Sequence, residues 1–492
     1  MAKVTRRRFV VGLGTGAASL LFSACGAPTP TATPVPAKTA EPAQRAGVST
    51  TTVTPTNAPT PAVSTAPATT KGPMPAEPTK PGAVAAGQPA AAKQTASIRF
   101  HLRPGGLVEE WFRKQAEAYS KAAGVEVKLE LTPDAEYTQK LTTLVAAGDL
   151  GDAYWSGPFY VFYPFAARGI ALDLNPLVKA ENVDLGVFFP SVIKALMWDG
   201  KLCGLSYGSH PGYCTQFTNL DAYKEAGAKP PEWEWRYDKE WLDALKATTL
   251  DTNRDGTPDR YGFMFPYISQ SAYTFIRSWG SDWIEPTELK TSWFTQEKTV
   301  AALQFMHDLV HKHKVAPPAN GVVQNMFANG LTAAWQDGTW DVANMGDLIK
   351  DKFKWQAFGM PAGPEGKKGA FIGNNSLSVN KSSKYPNETF RWILWLCSKE
   401  NGLAQADSTT PGPRFDVWAD PKVANNPNYK DALRWISEIS QPASFPKNAR
   451  VTEFNTTVTQ GFQAFMLETG NPRAKIEELN KAVQAILDKP LL

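Results

Sequence analysis

The chain has 492 residues, 42% of them hydrophobic and 20% charged, which is length enough for two domains each with its own core. Its 51 Lys and Arg exceed its 47 Asp and Glu by four, and Lys3, Arg6, Arg7 and Arg8 alone carry that excess. The remainder is neutral, so no basic surface is expected for nucleic acid, and that partner class is set aside.

At the start, Thr5-Arg6-Arg7-Arg8-Phe9 leads into an apolar run from Phe9 to Phe22, closed by Leu21-Phe22-Ser23-Ala24-Cys25. A basic start, a short apolar stretch and small residues before a cut site make an export signal. The run is too short to cross a hydrocarbon layer of ~30 Å as a mature anchor. The Arg6-Arg7 pair resembles a twin-arginine signal. Small residues ahead of Cys25 and Gly26 resemble a lipobox, in which the Cys is diacylated and becomes the new N-terminus. Residues 1–25 then export the protein and tether it by lipid to the outer face of the cytoplasmic membrane or the cell surface, since two acyl chains hold where one barely does. An ordinary cleaved signal that contains a cysteine is the alternative. Residues 26–95 are Ala, Pro, Thr and Ser, as in Thr29-Pro30-Thr31-Ala32-Thr33-Pro34. So little apolar surface cannot offset the cost of ordering, and the stretch is expected to be a disordered, partly polyproline spacer.

Residues 96–492 carry the pattern of a folded domain. Ser97 to Leu102 alternates polar and apolar, and Pro104-Gly105-Gly106 turns the chain. Val108, Trp111, Phe112, Ala116 and Tyr119 recur at helical spacing, with Gly124 as the stop. Val125 to Leu131 alternates again, and Tyr137 to Ala147 predicts a second helix stopped by Gly148. This β-α-β-α rhythm predicts an α/β domain with a mostly parallel sheet, whose ligands sit beyond the carboxyl ends of the strands. Ala153-Tyr154-Trp155 falls at such an end.

Further along, a series of segments carries a family likeness. Gly151-Asp152-Ala153-Tyr154-Trp155 and Leu172-Asp173-Leu174-Asn175 are followed by Trp198-Asp199-Gly200-Lys201-Leu202-Cys203-Gly204-Leu205. Thr218-Asn219-Leu220-Asp221, Phe327-Ala328-Asn329-Gly330 to Gly338-Thr339-Trp340, Phe358 to Gly363, Gly373 to Lys381 and Phe390 to Leu394 continue the series. In this order the chain resembles the extracellular solute-binding proteins of ABC importers, family 1, the sugar-binding type. It departs from that pattern at Cys203 and Ser206, where Tyr and Pro are usual, and at Ala334-Trp335, where Ala-Met is common. The resemblance covers nearly all of residues 97–490.

It implies a two-lobe periplasmic-binding-protein fold of type II, with interleaved lobes joined by hinge crossings. Lobe 1 would hold about 96–207 and 376–440, and lobe 2 about 208–375 and 441–492. The crossings would be Leu205 to Cys214, Phe371 to Val379 and a third near Gln441 to Arg450. The function implied is a monomeric, non-catalytic receptor that captures a small carbohydrate and delivers it to ABC permease subunits. A secreted polysaccharide-acting enzyme, or a receptor for a non-sugar solute, is the alternative.

A sugar offers a weakly polar ring face and many hydroxyls. Trp and Tyr cover the face, and Asn, Asp and Arg satisfy the hydroxyls. Of 16 Trp, Trp155 and Trp340 stand where the resemblance places aromatic platforms; Tyr207, His210, Tyr273, Asn374, Asn375 and Arg414 are the next candidates. Any single Trp can equally fill a core, and Trp392 with Trp395 at i, i+3 reads most simply as a buried helix face.

Three further features bear on chemistry. Asp251, Asn253, Asp255 and Asp259 occupy the first, third, fifth and ninth positions of a loop, with Thr257 at the seventh and Gly256 at the sixth, as at the start of a calcium loop. Gly262 stands where the bidentate Glu belongs, so structural Ca²⁺, Mg²⁺ or no metal stays open, and no cofactor is required. Cys203 and Cys214 flank a short loop facing an oxidising exterior and are either a disulfide or two buried thiols; Cys397 is expected in the core. No Gly-x-Ser-x-Gly or His-Glu-x-x-His is present, and His307 and His311 at i, i+4 lack a partner for zinc, which argues against an enzyme.

Overall fold

The computed structural model describes residues 96–103, 106–157, 160–323, 325–443, 446 and 450–490. The export signal, Cys25 and the spacer lie outside the described residues. The strands run β1 (Ser97–Leu102), β2 (Glu126–Leu131), β3 (Ala153–Trp155), β4 (Met197–Trp198), β5 (Lys201–Leu202), β6 (Leu205–Pro211), β7 (Thr215–Asn219), β8 (Ala334–Asp337), β9 (Trp355–Gly359) and β10 (Ile372–Val379).

A five-stranded sheet is ordered β2-β1-β3-β10-β6. β1 pairs in parallel with both β2 and β3, whereas β10 runs antiparallel to β3 and to β6. The β-α-β-α opening therefore builds the parallel half, and two later strands complete a mixed sheet. The alternation in β1 buries Ile98, Phe100 and Leu102 to within 1% of complete. Each such burial contributes about 1.5–3 kcal/mol, so Phe100→Ala would cost about 3–5 kcal/mol.

Two helices connect these strands. Helix α1 (Gly106–Ala123) buries Trp111, Phe112, Ala116 and Tyr119 on one face, as the spacing predicts. Helix α2 (Asp134–Ala147) ends at Gly148, whose φ of +68° is the left-handed stop that glycine supplies cheaply. Helix Pro386–Leu396 buries Trp392 completely against Phe100 and Tyr119, so Trp392 is core.

The second sheet, β8-β7-β9, is antiparallel throughout. After the Asp251 to Asp259 loop the chain forms a pair of parallel bridges, Tyr261 to Thr332 and Met264 to Trp335, alongside β8. β6 leaves the first sheet and the chain enters β7 of the second within four residues. β10 pairs back along β6 from Ile372 with Pro211 to Leu377 with Leu205. Beside them, Phe371 bridges Gln441, and Arg277 of helix Ser269–Ser278 donates to the carbonyls of Ala370 (2.8 Å) and Pro442 (3.0 Å). These crossings are thus tied together where they meet.

Two apolar clusters fill the molecule. One centres on the first sheet, with Phe100, Trp155 and Trp392; the other gathers Trp241, Phe275, Trp283 and Phe462. Cys203 packs in the first and Cys214 in the second, and both are free thiols. This corrects the disulfide alternative: the seven-residue strand β6 stands between them, and at about 3.3 Å per residue it holds their Cα atoms far beyond bridging reach. Burial pushes both thiols up, Cys203 to about 11. Cys397 is buried as expected, its thiol donating to the Ser206 carbonyl (3.1 Å).

Candidate ligand cleft

A cavity of about 690 Å³ opens at the carboxyl ends of β1 and β3. Strand-end geometry explains its floor: Leu102 and Arg103 leave β1, and Trp155 closes β3. Asp134, the first residue of α2, pairs with the Arg103 guanidinium, which lies 4.3 Å over the Trp155 ring. Trp155 is therefore clasped, 1% exposed, with Arg103 on its face and Tyr137 at its edge. The Tyr137 hydroxyl donates to the Trp155 carbonyl (2.9 Å) and fixes the strand end.

The next wall comes from β6 and β10. Ser376 pairs with Ser206 and Asn375 with Gly208, so Tyr207 is the extra residue of a bulge. Bulges re-aim side chains, and Tyr207 reaches the cavity while stacking on Trp111 at 5.7 Å. Beyond the bulge, strict alternation puts Gly208, His210, Gly373 and Asn375 on one face and Ser209 and Asn374 on the other. The His210 ring crosses directly over Gly373, where a Cβ would lie 2.1 Å from the imidazole, so only glycine fits.

The opposing wall holds Tyr213, Ile268, Gln270, Trp340, Asn455 and Thr459. Asn455 and Thr459 share a face of helix Val451–Leu467 at i, i+4. The Trp340 ring folds back over Gly338, where a Cβ would overlap it at 1.7 Å. It stands edge to face with His210 (4.4 Å) and Tyr213 (5.1 Å), and is half-buried. Asp337 and Asp341 flank it. Burial, with the charge of Asp341, holds Asp337 well above the carboxylate range, and burial pushes Asp341 up to about 6. Burial first, then the two aspartates and Tyr160, keeps the Tyr213 phenol neutral.

The structure brings Trp155, Tyr207, His210, Trp340 and Asn375 to this one cavity. Three expected residues lie elsewhere. Tyr273 is wholly buried, stacked 3.7 Å from Trp283 with its hydroxyl donating to Asp282 (2.5 Å), because its helix turns that face to the core. Asn374 falls on the far face of β10 and accepts from the Ser209 hydroxyl (2.7 Å). Arg414 is held by both oxygens of Asp416 at the start of helix Phe415–Trp418. Arg103, Asp134, Tyr213, Gln270, Asn455 and Thr459 line the cavity without having been foreseen. Arg103 follows β1 directly, so the strand-end rule that marks Trp155 marks it too.

The calcium-like loop is closed on itself. Asp251 accepts from Gly256 N (3.0 Å), Asp255 from Thr257 N (2.8 Å) and Asp259 from Thr252 N (2.7 Å), so the carboxylates close the loop through its own N–H groups, the Asp255 bond being an Asx turn. A Cβ at Gly262 would lie 2.2 Å from the Leu245 carbonyl, which bars an acidic side chain from the twelfth position. Among the described residues no group of three or more His, Cys, Asp or Glu is arranged to hold a metal. The loop of Asp251, Asn253, Asp255, Thr257 and Asp259 is thus tied by its own hydrogen bonds, and one buried oxygen of Asp251 is left without a hydrogen-bond partner. His307 and His311 each place Nε2 against a carbonyl, of Glu468 (2.7 Å) and Met466 (2.8 Å), and pin two helices.

A family model described as bacterial extracellular solute-binding protein matches residues 114–431. The chain belongs to that family. This solute-binding protein is 22% identical over 399 residues to a protein of Brucella abortus (strain 2308), covering 79% of this chain and 92% of that one. It is 25% identical over 317 residues to a Deinococcus radiodurans protein, covering 61% and 72%. The first is named provisionally as a binding protein, the second as one that binds for an ABC transporter. Its fold matches the sugar-binding protein MalE of Xanthomonas citri with a TM-score of 0.66 at 21% identity, over 80% of this chain and 97% of that one. It also matches an ABC substrate-binding protein of Listeria monocytogenes in complex with cycloalternan, TM-score 0.68 at 18% identity, over 80% and 99%. The fold is the two-lobe α/β fold of periplasmic binding proteins, and the relatives are binding proteins, not enzymes.

Proposed function

We propose that this solute-binding protein is an exported, lipid-anchored, monomeric receptor that takes a small carbohydrate between its lobes and hands it to an ABC importer permease. The observation that carries the reading is the cavity's lining. Trp340, Tyr207 and Tyr213 supply aromatic surface, Trp155 backs the Arg103 guanidinium, and Arg103, Asp134, Asn375, Gln270 and Asn455 supply donors and acceptors in pairs. A paired Arg and Asp suits vicinal hydroxyls, because each hydroxyl both donates and accepts. A half-buried Trp suits the weakly polar face of a pyranose. MalE and the cycloalternan-bound protein, similar in fold, support a sugar over other solutes. Cys25 would carry the anchor, with residues 26–95 as the spacer that sets the domain off the membrane.

The test is calorimetric titration of the protein with maltose, mannobiose, mannotriose and tagatose, paired with thermal shift. A ligand of the native state raises Tm by mass action, by an amount set by its concentration over Kd. Micromolar binding of one sugar with a matching rise in Tm supports the reading. Absence of binding across the panel, with binding of an amino acid or peptide instead, refutes it.

A further inference from the structure

Beside the cleft lies a buried polar side chain with no hydrogen-bond partner. Gln405 ends helix Lys399–Gln405, whose N-cap Ser398 accepts from Asn401 N. Gln405 is 0% exposed, and neither its amide nitrogen nor its amide oxygen has a protein hydrogen-bond partner. A buried amide left so is costly, and native structures rarely keep one without use.

Its position says where it points. The Nε2 atom lies 2.7 Å from where a Cβ on Gly208 would be, and Asn375 Nδ2 lies 3.6 Å from the same point. Gly208 and Asn375 are register partners, on the face of the sheet that also carries His210 and Gly373. Three of those four residues besides Gly208 line the cavity, as does Thr409. The missing side chain at Gly208 thus leaves a gap that the Gln405 amide fills, directly behind the stretch of cavity wall that carries Asn375.

We infer that Gln405 reads a ligand hydroxyl through that gap, in company with Asn375. A primary amide sets a donor and an acceptor side by side, which matches a hydroxyl that must give one hydrogen bond and take one. Sites built this way discriminate strongly against analogues that lack the hydroxyl, because the buried amide is then left unpaired. The inference rests on the carbohydrate reading of the same cavity and adds to it a specificity-determining residue.

Two substitutions in the full chain test it, Gln405→Leu and Gly208→Ala. The first keeps most of the bulk and removes the amide; the second inserts a methyl 2.7 Å from where Nε2 now lies and moves the amide aside. Gly208 has no positive φ, so Ala is tolerated by the backbone. Titration with maltose, mannobiose, mannotriose and tagatose is expected to show about a tenfold or greater loss for the best-bound sugar in either variant. The double variant should lose no more than the worse single one, since both act on one contact. The Tm of Gln405→Leu without sugar should equal or exceed that of the parent, because a buried unpaired amide has been replaced by an apolar group. A fall in Tm of several degrees marks Gln405 as structural and overturns the inference. So does unchanged affinity in both variants while the parent binds, which leaves the carbohydrate reading intact. A parent that binds none of the four sugars ends both.

Discussion

Trp340→Ala separates a ligand platform from a core residue. The ring is half-buried, lies over Gly338, and packs edge to face with His210 at 4.4 Å and Tyr213 at 5.1 Å. Two such aromatic contacts contribute about 0.5–1.5 kcal/mol each, so truncation should lower stability by about 1–3 kcal/mol. Trp392 is the control: it is 0% exposed, and Trp392→Ala should cost about 3–5 kcal/mol. A desolvated aromatic anchor is worth on the order of 1–3 kcal/mol of binding, which weakens affinity about 5- to 150-fold. Denaturant melts give the two stabilities, and calorimetric titration with the best sugar of the panel gives the affinities. The expected pattern is a folded Trp340→Ala protein with a modest stability loss and at least a fivefold higher Kd. Unchanged affinity with a stability loss as large as that of Trp392→Ala would refute the platform assignment.

Three other outcomes follow from the same geometry. Asp341 is held near 6 by burial, so the unfolded chain gives up that proton first as pH rises, and stability is lost between about pH 4 and pH 6, with the full deficit constant above that. Asp341→Asn should therefore melt about 1–3 °C higher than the parent at pH 7.5 and level with it at pH 4; an equal offset at both pH values would contradict this. EDTA should leave Tm within about 1 °C, because Asp251, Asp255 and Asp259 each already accept from a loop N–H group; a larger fall, reversed by Ca²⁺, would show a metal. Cys25→Ser should move the protein from the membrane to the soluble fraction, and continued retention without bound lipid on mass analysis would count against the lipobox.

What could be seen in the chain was what depends on local pattern. The alternation of Ser97 to Leu102 and the 3.6-residue spacing through α1 locate the first sheet and its covering helix, and the strand end brings out Trp155. What could not be seen depends on where a strand faces. Asn374 and Asn375 are neighbours with identical side chains, and only the register of β10 against β6, shifted by the bulge at Tyr207, sends one to the cavity and the other to Ser209. Tyr273 and Arg414 carry the right chemistry, but each is committed to a carboxylate, Asp282 and Asp416, that spacing alone does not assign. Cys203 and Cys214 looked close in number because the strand between them was read as a loop. Arg103 needed no more than the rule that marked Trp155.

The central claim is that a carbohydrate is held in the cavity between Trp155 and Trp340, and a crystal structure with the tightest-binding sugar of the panel tests it directly. The account predicts density for a sugar ring stacked on the Trp340 face, with hydroxyls within hydrogen-bond distance of Arg103, Asp134 and Asn375. A sugar bound elsewhere on the protein, or a cavity that closes without admitting it, would contradict the account.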